Sequence, residues 1–282
     1  MLRIAAFATL FLVGCASCSD AVAVPDASAS PDAAPATTAR ILDVFFGLDH
    51  ALPAKAMLLC PEAVGRDGIP VTFSVRVTPI NPAPSAFRIT TKSGALHTPL
   101  CTTLRPAVLP SKRHTVLMMG ELGSDPGDPP VRLDIVGSVP LEDGSDALGL
   151  SSTHVTPLSA GPSLLLALRY LPVDLAGTAC PAPTTRQIVQ VTWSGGVTRP
   201  GGGDPGDAER QRIHVRLASG DGGVREVVPF ALADLGDNDN YLQLCLDDDA
   251  PPLSVRAEAG TLVDPRGDLN NDTSVAVQQG LP

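Results

Sequence analysis

The chain has 282 residues, among them 26 Gly, 28 Pro, ten aromatic side chains and six Cys, with 20 Lys plus Arg against 30 Asp plus Glu. A hydrophobic content of 44 % excludes a wholly disordered chain, and Gly plus Pro stay below the roughly 25–30 % of low-complexity sequences. A net charge of −10 argues against nucleic acid or a bare anionic membrane surface as partner, because phosphate binding needs clustered cations.

The chain opens on a short cationic start, Met1-Leu2-Arg3, followed by an apolar run from Ile4 to Val13. That run is too short to span a bilayer, which takes about 20 residues, and reads as a signal peptide over residues 1–14. Its end, Leu12-Val13-Gly14-Cys15, resembles the lipobox of bacterial lipoproteins. The resemblance implies that Cys15 carries palmitate-type acyl chains and becomes the first residue of the mature chain; the alternative is an ordinary secretory signal with Cys15 as an incidental thiol. Ala16 in place of Asp after the lipidated Cys implies the bacterial outer membrane, facing either the periplasm or the cell surface. Two or three chains anchor stably where one would not, since each buried methylene contributes about 0.8 kcal/mol. Residues 15–39 then read as a lipid-anchored, disordered tether. Ser19 to Ala39 is almost wholly Ala, Ser, Pro, Thr, Val and Asp, and cannot bury enough apolar area to offset its ordering entropy.

From Arg40 onward the sequence repeats itself. Cys60-Pro61 and Val71-Thr72-Phe73-Ser74 recur as Cys180-Pro181 and Val191-Thr192-Trp193-Ser194 at an offset of 120. Phe87-Arg88-Ile89 recurs as Ile213-His214-Val215 at 126, and Pro129-Pro130 as Pro251-Pro252 at 122. Each unit, 40–160 and 161–282, has the size of a common domain. Apolar residues alternate with period two, as in Val71, Phe73, Val75 and Val77, and Pro and Gly clusters punctuate the runs. The alternation predicts strands near 41–47, 56–59, 69–78, 86–91, 114–119, 131–137 and 152–157 in the first unit. In the second it predicts 163–169, 187–193, 212–218, 224–230, 240–246, 253–258 and 273–278. Seven short strands per unit predict an all-β chain of two tandem β-sandwiches from an internal duplication. In the second unit Cys180, Trp193 and Cys245 have a spacing that resembles the Cys-Trp-Cys signature of immunoglobulin domains, which implies an immunoglobulin-like architecture.

Export permits disulfides, and four Cys outside the anchor region allow three pairings. The duplication favours one bridge per unit, Cys60 with Cys101 and Cys180 with Cys245; a metal site is the competing reading.

Other residue patterns offer chemistry less directly. Gly201-Gly202-Gly203-Asp204-Pro205-Gly206 fits a dinucleotide pattern in form but falls between two predicted strands, as a loop insertion. No Gly-x-Ser-x-Gly or His-Glu-x-x-His occurs, and of the five scattered histidines His50 is the catalytic candidate for an exported hydrolase. Asp234, Asp237, Asp239, Asp247, Asp264, Asp268 and Asp272 lie in three Asp- and Asn-rich segments. Calcium takes six to eight oxygens, so these seven are the candidate calcium ligands, with solvated turns as the alternative. Asn238-Asp239-Asn240 resembles the end of the cadherin inter-domain motif. Arg266-Gly267-Asp268 matches an integrin-binding tripeptide, and Trp193 is placed in a core. The expected function is a non-catalytic binding or structural module of the cell envelope, not an enzyme. It would meet the membrane through its lipid anchor and an envelope protein or surface ligand through its loops. The alternatives are a calcium-dependent adhesion or metal-binding module and the exported hydrolase. No cofactor is expected apart from calcium in the former.

Overall fold

Period-two alternation of apolar and polar residues sets nearly every strand of the computed structural model, which describes residues 38–107, 109–220 and 222–280. The predicted signal peptide, Cys15 and all but the last two residues of the predicted tether lie outside the described residues. In the first half the strands are β1 (Ile41–Val44), β2 (Asp67–Phe73), β3 (Phe87–Thr91), β4 (Leu96–His97), β5 (Cys101–Thr103), β6 (Thr115–Gly120), β7 (Pro130–Ile135) and β8 (Ser151–Ser152). They form two four-stranded sheets, ordered β1-β2-β6-β5 and β4-β3-β7-β8.

The second half repeats this plan. Its strands are β9 (Leu164–Tyr170), β10 (Gln187–Trp193), β11 (Ile213–Ala218), β12 (Val224–Val227), β13 (Ala231–Ala233), β14 (Tyr241–Leu246), β15 (Pro252–Ala257) and β16 (Thr273–Gln279). Their order contains β9-β10-β14-β13 and β12-β11-β15-β16, strand for strand the arrangement of the first half. The register repeats too. Val71 faces Val116 across β2 and β6, and Val191 faces Leu242 across β10 and β14, so the sequence offsets of 120 and 126 persist in the pairing. The slip that sets Ile41 against Phe73 recurs where Leu164 meets Trp193. One difference follows from strand length. β16 is seven residues long and pairs parallel with β9, merging two sheets into one of eight strands. β8 has two residues, and the corresponding closure in the first half shrinks to a single parallel bridge, Phe45 to Thr156.

Each half has its own core. Ile69, Val71, Phe73, Val116 and Met118 of one sheet meet Phe87, Ile89, Leu133 and Ile135 of the other. Val189, Val191, Trp193, Leu242 and Leu244 meet Ile213, Val215, Leu217 and Val255 in the second half. Trp193 is fully buried there, as placed by the alternation. Burying such a side chain contributes about 1.5–3 kcal/mol, and together Thr38–Pro282 forms one compact unit.

The outer faces of β2/β6 and β10/β14 are covered as well, which is why these strands are buried almost throughout. The β1–β2 connection folds over the first, with Leu52, Ala56, Cys60 and Ala63 against Met119. Leu175 and Cys180 of the β9–β10 connection cover Ile188 on the second. A disulfide pins each cover: Cys60–Cys101 to β5 and Cys180–Cys245 to β14, the two pairings favoured from sequence. Cys101 faces Met119, and Met119 holds the position of Cys245, so the two bridges reach neighbouring strands. The spacing of Cys180, Trp193 and Cys245 therefore arises differently from the immunoglobulin signature. Trp193 and Cys245 lie on adjacent strands of one sheet, and the bridge ties a loop to a strand instead of crossing the core.

Three strand expectations need correction. Residues 56–59 belong to a 3-10 helix, Ala54–Leu58, and its cap; the turn buries Ala56 beneath it and leaves Leu58 90 % exposed. The expected strand 224–230 splits, with β12 ending at Val227 and β13 starting at Ala231. The expected strand 152–157 contracts to β8 and one bridge at Thr156, while β4 and β5, of two and three residues, are too short to show alternation and lie outside the expected set.

Candidate functional site

Where the two halves meet, the same segment of each is in contact. At the offset of 126, Lys112-Arg113-His114-Thr115 corresponds to Asn238-Asp239-Asn240-Tyr241, the residues that lead into β6 and β14. The Tyr241 hydroxyl accepts the His114 N–H at 3.2 Å and lies 3.2 Å from Thr115 Oγ1. Asn240 Nδ2 donates to Thr115 Oγ1 at 2.9 Å and to the Trp193 carbonyl at 2.8 Å. Gln190 Nε2 donates to the Ser111 carbonyl at 2.9 Å, and the Ser111 hydroxyl donates to Gln190 Oε1 at 3.1 Å. All of these residues are buried, and these hydrogen bonds satisfy the polar atoms named at the junction. Gly195 completes the fit, since a Cβ there would lie 2.6 Å from the Phe45 ring.

Lys112 gives the junction its charge. A Pro110–Lys112 turn, opened by proline, carries its side chain away from solvent into the β13–β14 loop, where it is 2 % exposed. Its Nζ lies 2.5 Å from Asp234 Oδ1, 2.7 Å from Asp239 Oδ2 and 2.9 Å from Asp237 Oδ2, and 5.9 Å from the centre of the Tyr241 ring. The loop is shaped to present these oxygens. Asp234 and Asn238 adopt left-handed backbone, and Asp204 Oδ1 accepts the Gly236 N–H at 3.0 Å.

The electrostatics follow from burial first. Burial pulls the Lys112 ammonium down, and the three carboxylates more than reverse this, holding it above the ordinary lysine value. Burial pushes Asp239 up to about 7 against the pull of Lys112, and it raises Asp234 as well. Asp237 is more open; its burial is outweighed by Lys112, and it stays below the usual carboxylate range. His114 sits on the same segment, its Nδ1–H donating to the Phe73 carbonyl at 3.1 Å and its Nε2 buried with no partner. Burial, helped by the charge of Arg76, lowers it to about 4.

Of the seven expected calcium ligands, the fold brings Asp234, Asp237 and Asp239 together, and the cation among them is the chain's own lysine. The other four lie apart from that cluster. Asp247 is exposed at the end of β14, and Asp272 pairs with Arg256. Asp264 and Asp268 share one turn, where Asp264 Oδ1 accepts the N–H groups of Arg266 and Asp268 at 2.9 Å each. That turn contains the Arg-Gly-Asp tripeptide. The Gly201–Gly203 segment is a turn followed by a four-residue helix, Asp207–Arg210.

His50 lies in a separate cluster. Asp67, at the start of β2 and fully buried, accepts the backbone N–H of Leu122 at 2.7 Å and of His50 at 2.9 Å. The His50 ring contacts carboxylates: Nδ1 is 2.5 Å from Asp49 Oδ1 and 3.7 Å from Asp67 Oδ1, and Nε2 is 3.4 Å from Glu121 Oε2. One ligand atom each from Asp49, His50 and Asp67 lie within 4.8 Å of one another, close enough for one small cation. Gln187 occupies the register of Asp67 in the second half, so this charge belongs to the first half alone.

Lys112 is the member of the charged cluster that the sequence reading passed over. The signal was the repeat itself, which sets a basic triplet, Lys112-Arg113-His114, opposite an acidic and amide one. Comparison with protein-family models, curated proteins and solved structures returned no match to the chain.

Proposed function

We propose that the chain is a non-catalytic module of the bacterial cell envelope, built of two tandem immunoglobulin-like sandwiches that arose by duplication and held at the outer membrane through acylated Cys15. The observation that carries the architectural part is the repeated strand order. With the strands of each half lettered in sequence, the order A-B-E-D against C′-C-F-G corresponds to the constant-type immunoglobulin sheets with one strand added. Two disulfides outside the cores suit an exported, oxidised protein. The interlocking of equivalent segments favours a module that holds a fixed shape between its anchor and a partner. Such sandwiches present partner sites on end loops and strand edges, and the binding role rests on that architecture.

The test is labelled palmitate incorporation and membrane fractionation of the native chain and of Cys15→Ser, with photo-cross-linking of the anchored form in its envelope. Label and membrane association lost together in Cys15→Ser, and an envelope protein or glycan cross-linked to the native form alone, support the reading. Unchanged label in Cys15→Ser refutes the anchor, and turnover of a small-molecule substrate by the purified chain refutes the non-catalytic role.

A further inference from the structure

The contacts of Lys112 are those of a buried ion pair, and they are also those of a reaction. The amine nitrogen touches two carboxyl groups that are themselves buried, from the other half of the molecule, with little room for water between them. Asp239 Oδ1 accepts the Tyr241 backbone N–H at 2.7 Å, a donor fixed by the start of β14, while its Oδ2 faces Lys112. The second carboxyl, Asp234, meets Nζ through Oδ1 and has an Oδ2 that is buried and without a partner. A nucleophile, an electrophile with an oxygen held by a backbone donor, and a proton carrier are thus within contact distance.

We propose that Lys112 Nζ and the Asp239 carboxyl condense to an amide, an intramolecular isopeptide bond that joins the two halves covalently, with Asp234 as the proton carrier. Although the carboxylates favour the ammonium, transient transfer of one proton to Asp234, whose carboxyl is itself raised by burial, frees the nitrogen lone pair. Burial favours the protonated form of Asp239, the form able to lose water. The nitrogen attacks Asp239 Cγ, the N–C bond forms, and the carbonyl electrons move to Oδ1, where the Tyr241 N–H donates a hydrogen bond to the oxyanion until they return to expel the other oxygen. Asp234 takes a second proton from nitrogen as it delivers one to Oδ2, the C–Oδ2 bond breaks and water departs. The balance is the Lys112 ammonium, the Asp239 carboxylic acid and the Asp234 carboxylate converted to one amide, one water and a protonated Asp234, with no oxidant or co-reactant. Water departs through the depression lined by Asp204, Gly236, Asp237 and Asn238 beside the cluster. Two factors favour the amide. Fixed contact raises the effective concentration of amine and acid by about 10⁵-fold or more over free groups in solution, and condensation removes a buried charge of each sign from a site that holds three carboxylates and one ammonium. The proposal concerns the folded halves alone and stands or falls independently of the anchor and of any partner.

The experiment is intact-mass measurement of the purified, folded, oxidised chain under denaturing conditions, followed by proteolysis and sequencing of any branched peptide. The expected result is a mass lower by about 18 Da, one water, than the oxidised sequence requires, and a branched peptide joining Lys112 to Asp239. Lys112→Arg and Asp239→Ala restore the full mass, and Asp234→Asn leaves a large uncondensed fraction. Because the native chain gives the decisive reading, a variant that fails to fold does not weaken the test. A native chain of full mass with no branched peptide overturns the proposal. A branch at Asp234 or Asp237 overturns the assignment of Asp239, and complete condensation in Asp234→Asn overturns the proton carrier.

Discussion

His114 makes the junction sensitive to acid, and the size of the effect can be worked from its surroundings. The imidazole is buried beside the junction, donates from Nδ1 to the Phe73 carbonyl, and has no hydrogen-bond partner at Nε2. It is therefore held neutral, at about 4, against about 6.5 in an unfolded chain. Because the folded value is the lower one, the unfolded chain binds the proton first as pH falls. The contribution to stability is complete above pH 6.5 and is lost as pH drops through 4. With 1.36 kcal/mol per pKa unit, the loss is about 1.4 kcal/mol at pH 5.5 and about 3 kcal/mol at pH 4. Asp239, wherever it is not condensed with Lys112, works in the opposite sense, since its raised value makes the folded state take up a proton between about 7 and 4. The native pH profile therefore mixes both. Subtracting the profile of His114→Asn isolates the histidine, because the side-chain volume lost in the variant costs the same at every pH. Urea unfolding followed through Trp193, the single tryptophan, at pH 7, 5.5 and 4 gives the two profiles. The native chain should lose about 3 kcal/mol more than the variant between pH 7 and 4. Parallel profiles would refute the buried, neutral histidine.

Three further outcomes are expected. Replacing either disulfide pair by alanine should cost about 4 kcal/mol in urea unfolding by the chain-entropy argument, since the bridges span separations of 41 and 65 residues; a loss below about 1 kcal/mol would show that the covering loops hold without them. Gly161→Ala should cost about 3 kcal/mol or more in the same assay, because its Cβ would lie 1.9 Å from the Leu269 carbonyl oxygen, a backbone atom that cannot turn aside. Calcium at millimolar concentration should leave the thermal midpoint unchanged, because Lys112 Nζ already occupies the place among Asp234, Asp237 and Asp239 that an ion would take; a rise in midpoint that persists in Asp49→Asn would place the ion in the acidic loops after all.

Much of the fold was legible because it rests on local alternation that tertiary contacts reinforce. Val71-Thr72-Phe73 and Val191-Thr192-Trp193 carry both the strand pattern and the repeat, and the pairing keeps their offset. The cysteine pairing was legible through the same duplication. What escaped the sequence was set by contacts distant along the chain. Ala54–Leu58 reads as an apolar run, yet it turns as a 3-10 helix because its task is to cover Met119 from outside, which needs only Ala56 and Cys60 to face inward. Lys112 lies in Pro110-Ser111-Lys112-Arg113, just ahead of the expected strand 114–119 and outside every pattern singled out in the sequence. It is buried only because a loop more than 120 residues later presents carboxylates to it. An acidic cluster read in isolation asks for an external cation, and the fold supplies one from its own repeat.

Differential scanning calorimetry of the folded chain at neutral pH asks whether the two repeats are locked through this junction into one cooperative body. A single transition whose calorimetric and van't Hoff enthalpies agree is expected, with its division into two in Lys112→Ala, which leaves the buried Asp234 and Asp239 carboxylates without their cation at a cost of about 3–5 kcal/mol. Two separate transitions in the native chain, or a Lys112→Ala trace that overlays the native one, would contradict it.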